Sequence, residues 1–424
     1  MTILVYVLNN NGKPLMPTNR HGKVRHLLKK GLAKVIRKEP FTIKLLYNST
    51  NFTQDLTLGV DTGSGTFATS VSTDSGEIVY LSEVQVRDDI STTMKKRSDY
   101  RHNRRWRKCR RRKCRFNNRK NSKRKDRFSP TIISKIHSHI KEIEFIKSIL
   151  PIKTLIFETG KFDTHLMKNP TMNRHWGYQQ GPNYGFENTK AMVRHRDGYK
   201  CRYCKGKSKD NQLEVHHIVF RSEGGSDDEK NLITLCHTCH TNLHQGKITI
   251  TKRGQGRGAL NFATQMNSIR VQLLRHYPEA IETFGYVTSA NRLQYNLPKE
   301  HYIDASLIAS NGQNPTFLVN MVYHKKSISK GDYRQTDTTN GVIHKYNKRK
   351  VLGLNRYYKV EYRGNIYFIF GRSNDKYCVL IDIFGNKVSF SHLPHGQKTP
   401  QLAKCHKISA RKSILTQALP LKSV

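Results

Sequence analysis

Acidic residues are scarce in this chain: 31 Asp and Glu stand against 75 Lys and Arg in 424 residues, a formal net charge of +44 at pH 7. The sequence pI is near 10.1. Self-repulsion of that size destabilises a compact protein unless a polyanion neutralises it. The partner is therefore expected to be nucleic acid, bound with a steep salt dependence. Long apolar runs are also missing. No stretch approaches the roughly 18 residues of a membrane span, so no membrane partner is expected. The opening MTILVYVLNN has neither a basic segment nor a long apolar core, unlike a secretory signal. Cysteine is sparse: eight residues, four of them in one pattern, suit a reducing cytoplasm better than a disulfide framework. The length allows two or three cores.

The densest chemistry lies in residues 194–246. Two Cys-x-x-Cys pairs, Cys201/Cys204 and Cys236/Cys239, bracket a His-His pair, an Asn and a His-x-x-x-His. Four thiolates in two knuckles suit a closed tetrahedral structural zinc site. The gap between the pairs exceeds the usual spacing of about 15–20 residues, which an inserted ββα finger would explain. His216, His217, Asn231, His240 and His244 remain, and they suit a hydrolytic metal site. Side chains alternate along a strand, so His216 can bind metal while His217 faces the other way as general base. His240 and His244 share a helix face and can complete the ligand set. Asn231 is expected to hydrogen-bond His217 and fix its tautomer. The competing reading is a plain zinc module with incidental histidines. The block resembles the HNH (ββα-metal) nucleases.

Residues 1–50 suggest a small α+β module: a strand in ILVYVLN, a helix over His21–Lys30, and further strand through AKVIRKEPFTIKLL. Leu15 and Met16 read as core filler. Residues 55–86 read as a β-meander with turns at Thr62–Gly65 and Asp74–Gly76. Asp61 ends one strand, and turn chemistry alone could explain it. Residues 95–127 hold 19 Lys and Arg in 33 positions. Such a run could be a solvated face. With Trp106 and Phe116 interleaved and no Pro or Gly, it reads better as a long arginine-rich helix along a phosphate backbone. Cys109 and Cys114 read as free thiols. Isoleucines at helical spacing predict an amphipathic helix over 131–150. KTLIFETG then reads as a buried strand presenting Glu158. Residues 168–190 suggest a linker into the Cys/His block, and ITKRGQGRGA a linker out of it. Residues 260–310 read as helical, interrupted near Pro278 and Pro298, and end with His301 and Asp304 on one helix face. From about Phe317 the pattern is β-rich, as in a small barrel. Asp61, Glu158 and Asp304 could converge on two divalent metals, although no spacing rule requires it.

The order GVDTGS, Arg-rich helix, IFETG, inserted HNH block, HYIDA resembles the split RuvC nuclease of RNA-guided effectors. The stretch GKPLMPTNRHGKVRHLLKKGLAKVIRKEPFTIKLL resembles the PLMP module of the IscB family, transposon-associated RNA-guided DNA nucleases related to the type II CRISPR effector. The resemblance covers almost the whole chain and is weakest after about residue 317. It implies Asp61, Glu158 and Asp304 as RuvC Mg²⁺ ligands, with His301 as base or orienting group. It implies His216, His240 and His244 as HNH Mg²⁺ ligands, His217 as base and Asn231 as its orienter. Arg101, Arg104, Arg105, Arg107, Arg110, Arg111, Arg112 and Arg115 would belong to a bridge helix gripping guide RNA.

The resemblance also implies domain bounds. These are a PLMP module over 1–50, RuvC parts over 51–90, 129–190 and 253–314 (the latter two with linkers), and a bridge helix over 91–128. The HNH domain would cover 191–252, and a β-rich domain reading a target-adjacent motif would cover 315–424. The fold expected is α/β: an RNase H-like (RuvC) core with an inserted ββα domain bearing a four-cysteine zinc site. The function implied is RNA-guided double-stranded DNA cleavage, HNH cutting the guide-paired strand and RuvC the displaced one. No long helical recognition lobe is visible, so a structured, omega RNA-like guide would take over that role in a monomeric ribonucleoprotein of the prokaryotic cytoplasm. Two other readings stand beside it: a guide-free HNH homing or restriction-type endonuclease, and a non-catalytic RNA-binding protein.

Overall fold

The computed structural model describes residues 4–106, 128–168, 183–223, 225–250, 260–329, 336–339, 342–346, 350–373, 375–391, 394 and 398–422. They divide into two compact units, Met1–Gly160 with Ser268–Val424, and Lys161–Asn267. Cys109, Cys114 and Arg107, Arg110, Arg111, Arg112 and Arg115 lie outside the described residues.

The first unit opens with β1 (Tyr6–Leu8), α1 (His21–Lys29), β2 (Ala33–Arg37) and β3 (Thr42–Leu45). The strands form a sheet of order β1-β3-β2. Val24 of the helix joins Val5, Val7, Ile43 and Leu45 in a small core. The single strand expected across 33–46 is in fact two. The chain turns over residues 38–41 around Pro40, which has no N–H to offer a ladder.

β4 (Leu56–Asp61), β5 (Thr66–Thr73) and β6 (Glu77–Gln85) form the expected antiparallel meander. α2 (Ile90–Trp106) follows, then α3 (Pro130–Lys147) and β7 (Ile152–Thr159). α3 starts where it does because Ser129 accepts a hydrogen bond from the Ile132 N–H and Pro130 occupies the first turn. Its Ile136, Ile143 and Ile146 are buried, as their helical spacing predicts. β7 lies parallel to β4.

The second unit holds α4 (Thr164–Lys168), α5 (Thr189–Arg196), β8 (Leu213–His217), β9 (Leu232–Cys236) and α6 (His237–His244). β8 and β9 form an antiparallel hairpin followed directly by α6, a ββα finger. Asn188 caps α5 through the Ala191 N–H. Met192, Val193 and Leu232 form one small cluster, and Leu235 packs among the four cysteines in another.

α7 (Leu260–His276) spans the boundary, and the chain returns to the first unit. There it adds β10 (Ile281–Phe284), α8 (Gly285–Gln294), α9 (His301–Ala309), β11 (Thr316–Phe317) and β12 (Met321–Ser327). β13 (Thr336–Thr339) and β14 (Val342–Tyr346) pair as a hairpin. β15 (Lys359–Tyr362), β16 (Asn365–Ser373), β17 (Tyr377–Ile381), β18 (His406–Ser409) and β19 (Ile414–Pro420) complete the described elements.

The main sheet runs β10-β7-β4-β5-β6-β12-β19, with β11 also on β6. Two expectations are corrected here. Residues 281–284 are a strand, not part of a helical run. The β-rich end is not a separate barrel: β12 and β19 extend the main sheet, while β17-β16-β15-β18 form their own. A buried ion pair locks β12 onto the core. Lys325 Nζ lies 2.6 Å from Glu142 Oε1 of α3, which also accepts from Ser82 and Tyr80 of β6. α9 lies so close on β4 that a side chain at Gly59 would put its Cβ 2.4 Å from the Ala309 nitrogen. Among the described residues no helix is long and apolar enough to cross a membrane.

Candidate active sites and metal centres

The sheet register brings the first acidic pair together. Asp61, the last residue of β4, and Glu158, the last but one of β7, are directly opposite partners. α9 adds His301 and Asp304 in its first turn, and the glycine at 59 lets that helix sit close enough. His301 Nδ1 lies 2.7 Å from Asp61 Oδ2. Thr62 ties the two strand ends by donating to the Glu158 carbonyl at 2.6 Å. Gly285 opens α8 against Glu158: a Cβ there would stand 3.0 Å from Oε1.

Burial pushes the Glu158 carboxyl up to about 7, helped by the charges of Asp61 and Asp304 and opposed by a hydrogen bond from Thr288. Asp61 is also raised, chiefly by burial, against the pull of its bond to His301. That same bond raises His301. Glu158 Oε2 is buried with no hydrogen-bond partner. An orphaned carboxylate oxygen among desolvated acids is what a divalent cation would satisfy, so the residues fit such a group. Arg292 of α8 occupies Asp304 instead, with Nη1 2.6 Å from Oδ1. Sequence spacing gave no signal for it.

The second site is on the ββα finger. His216 and His217 are adjacent on β8, so they face opposite sides; His216 is buried and His217 partly exposed. The ligand nitrogens of His216, His240 and His244 lie within 4.8 Å of one another. His240 and His244 bring their Nε2 atoms to 3.3 Å, the i, i+4 pairing expected on α6. Two imidazole nitrogens that close share a proton or flank a cation. Burial and the neighbouring imidazoles hold His216 down to about 4, so it is neutral, and its buried Nδ1 has no partner. A neutral imidazole with a free lone pair fits metal ligation.

Two acidic residues missed in the sequence support this site. Glu214 accepts from Nδ1 of His237 at 2.9 Å and pairs with Nδ1 of His240 at 3.0 Å. That leaves His240 Nε2 for the shared cluster, a carboxylate–histidine arrangement common around metals. Its signal was available, since Glu214 is two residues before His216 and so on the same strand face. Asp227 accepts from His217 Nε2 at 2.7 Å and is also bound by Arg221 at 2.6 Å. With that proton on Nε2, His217 Nδ1 is left as an acceptor for a water proton.

The expected role of Asn231 is corrected. Its Oδ1 accepts from the Val219 N–H at 2.8 Å, and its Nδ2 donates to the carbonyls of Val219 and Ser226. Asn231 braces the loop after His217, while Asp227 holds the imidazole. Gly225 lets that loop close, since a Cβ there would stand 1.9 Å from the Val219 carbonyl oxygen.

Cys201, Cys204, Cys236 and Cys239 bring their sulfurs within 4.8 Å of one another. Cys204 and Cys236 are 3.8 Å apart. A tetrahedron with metal–sulfur bonds of about 2.3 Å requires S···S of about 3.8 Å. Ser208, first among several hydrogen-bond donors, holds the Cys204 thiol down to about 6. The set fits a structural zinc ion that staples the hairpin to its flanking knuckle. Of the basic residues singled out, Arg101 is exposed on α2, and Arg104 and Arg105 lie in the same helix.

A family model described as HNH endonuclease matches residues 201–246, and one described as RRXRR protein matches residues 5–181. Anaredoxin of Nostoc sp. is 41% identical over 67 residues, 15% of this chain and 86% of that protein. The type IV methyl-directed restriction enzyme EcoKMcrA of Escherichia coli K12 is 49% identical over 35 residues, 8% of this chain and 13% of that one. Among solved structures, Streptococcus thermophilus Cas9 with the AGAA PAM aligns at TM-score 0.33 and 12% identity, covering 60% of this chain. The same protein with the GGAA PAM aligns at TM-score 0.35 and 12% identity, also over 60%. The chain spans about a third of the length of those Cas9 chains, 32% in each case.

Proposed function

Because the chain carries an HNH endonuclease domain and over 67 of its residues belongs to one family with Anaredoxin, we propose that it is an RNA-guided double-stranded DNA endonuclease of the IscB type with two nuclease sites. The observation that carries the second site is the register of Asp61 opposite Glu158, with His301 and Asp304 brought over them by α9. A three-stranded antiparallel meander followed by two parallel strands, in the order β6-β5-β4-β7-β10, supports an RNase H-like RuvC core. The match of an RRXRR model to residues 5–181 supports an effector-like N-terminal half.

Each residue then has a part. Asp61, Glu158 and Asp304 would hold Mg²⁺ at one site; His216, His240 and His244 would hold it at the other. Bound there, a divalent cation supplies charge neutralisation at a scissile phosphate. His217, oriented by Asp227, takes the proton from an attacking water at Nδ1. His301 orients Asp61 and is placed to move a proton at the first site. Arg101, Arg104, Arg105 and the basic run after them would grip guide RNA. The net charge of +44 supports a polyanion held over a large surface.

Purification of the full chain with its bound nucleic acid, followed by plasmid cleavage before and after ribonuclease treatment, tests this. The proposal expects a discrete structured RNA and guide-matched cutting that ribonuclease abolishes. Unchanged cutting after RNA removal would favour a guide-free HNH endonuclease. RNA binding with no metal-dependent cutting would favour a non-catalytic RNA-binding protein.

A further inference from the structure

The junction of β10 and α8 lies beside Glu158 of the Asp61–Glu158 site. Phe284 ends β10 opposite Thr159, the residue after Glu158. Gly285 opens α8 with its backbone against Glu158, where a Cβ would stand 3.0 Å from Oε1. Thr288, three residues on and buried, shares that face and hydrogen-bonds Glu158. Tyr286 is turned about 100° from Gly285 round the helix and is 74% exposed. Its ring is nearly parallel to that of Phe284, at 8° between planes and 6.1 Å between centroids.

We propose that Phe284 and Tyr286 form a stacking platform for a base of single-stranded DNA, next to the phosphate cut at the Asp61–Glu158–Asp304 site. This rests on the assignment of that site to the displaced strand. A flexible single strand must be held before its phosphate can be aligned, and carboxylates cannot attract it themselves. Aromatic faces bind any base by stacking, so they suit a nuclease whose sequence choice is made elsewhere. Gly285 places the platform beside Glu158 without a side chain between them. The basic residues of the chain supply the backbone attraction that stacking requires.

The test uses the full chain with its RNA and a guide-matched duplex, and follows each strand under single-turnover conditions. A set of duplexes carries one abasic nucleotide at successive positions around the displaced-strand cut. Tyr286→Ala is expected to slow displaced-strand cutting roughly 5- to 100-fold, with guide-paired-strand cutting unchanged. Tyr286→Phe is expected to restore it. One abasic position should slow the wild type yet have no further effect in Tyr286→Ala, because the same stack is already lost. Equal abasic penalties in both proteins, or wild-type cutting by Tyr286→Ala, would overturn the platform while Asp61→Ala still removed the displaced-strand cut. If Asp61→Ala left that cut intact, the site assignment itself would fail.

Discussion

Asp61 and Glu158 stand directly opposite each other on adjacent parallel strands, so two carboxylates share one poorly solvated strand end. Divalent cation binding at this site is expected to strengthen as pH rises through about 7, where Glu158 loses its proton. The metal-free fold should respond in the opposite sense. Glu158 binds its proton more tightly folded than unfolded, so its contribution to stability falls as pH rises from 4.5 through about 7. Glu158→Gln should therefore raise metal-free stability at pH 8, on the order of 1 kcal/mol, and weaken cation binding. Calorimetric titration and denaturant melts at pH 6 and 8 check both signs.

Gly59 is expected to tolerate no side chain. A Cβ there would meet the Ala309 nitrogen at 2.4 Å and the Ala305 carbonyl oxygen at 2.7 Å, both helix backbone. Gly59→Ala should cost about 1–3 kcal/mol or more and shift α9, which carries His301 and Asp304. The melting temperature should fall, and cutting by this site should fall further than cutting by the HNH site.

His139 should make the fold acid-sensitive. It is buried, stacks on Phe67 at 3.9 Å, and has Nδ1 2.9 Å from the Lys135 carbonyl. Its Nε2 accepts from Gly63 N–H at 3.4 Å, in the turn after Asp61. Burial holds it down to about 4, below its ordinary 6.5. Its stabilisation is thus complete above pH 6.5 and lost as pH falls toward 4. His139→Leu should lower stability at pH 7.5 by roughly 1–3 kcal/mol and flatten that part of the acid limb. Melts across pH 4 to 7.5 measure it.

Removal of zinc is expected to unfold the inserted finger. Cys201→Ser or Cys236→Ser should release about one zinc per chain and abolish HNH cutting, because zinc binding of this kind is folding free energy, about 10 kcal/mol or more. Metal analysis together with circular dichroism checks this. A wild type that carries no zinc would contradict it.

The parts legible in the sequence were those with a local period or a chemical spacing. The cysteine knuckles, the His-His pair, the i, i+4 histidines and the isoleucine stripe of α3 all lie where expected. The misses are non-local. β10 has only four residues and owes its strand state to pairing with β7, far away in the chain. β12 and β19 look like part of a terminal barrel until their pairing with β6 and with each other is seen. Asn231 matched a motif position, but its bonds depend on how the loop from Val219 to Ser226 closes. Arg292 meets Asp304 only because α8 packs beside α9.

The most direct measurement is strand-resolved cleavage of a guide-matched plasmid by Asp61→Ala, His217→Ala and the double variant. The two-site account predicts that each single variant nicks, that the nicks fall on opposite strands, and that the double variant binds its target without cutting. Loss of both cuts in Asp61→Ala, with target binding retained, would contradict it.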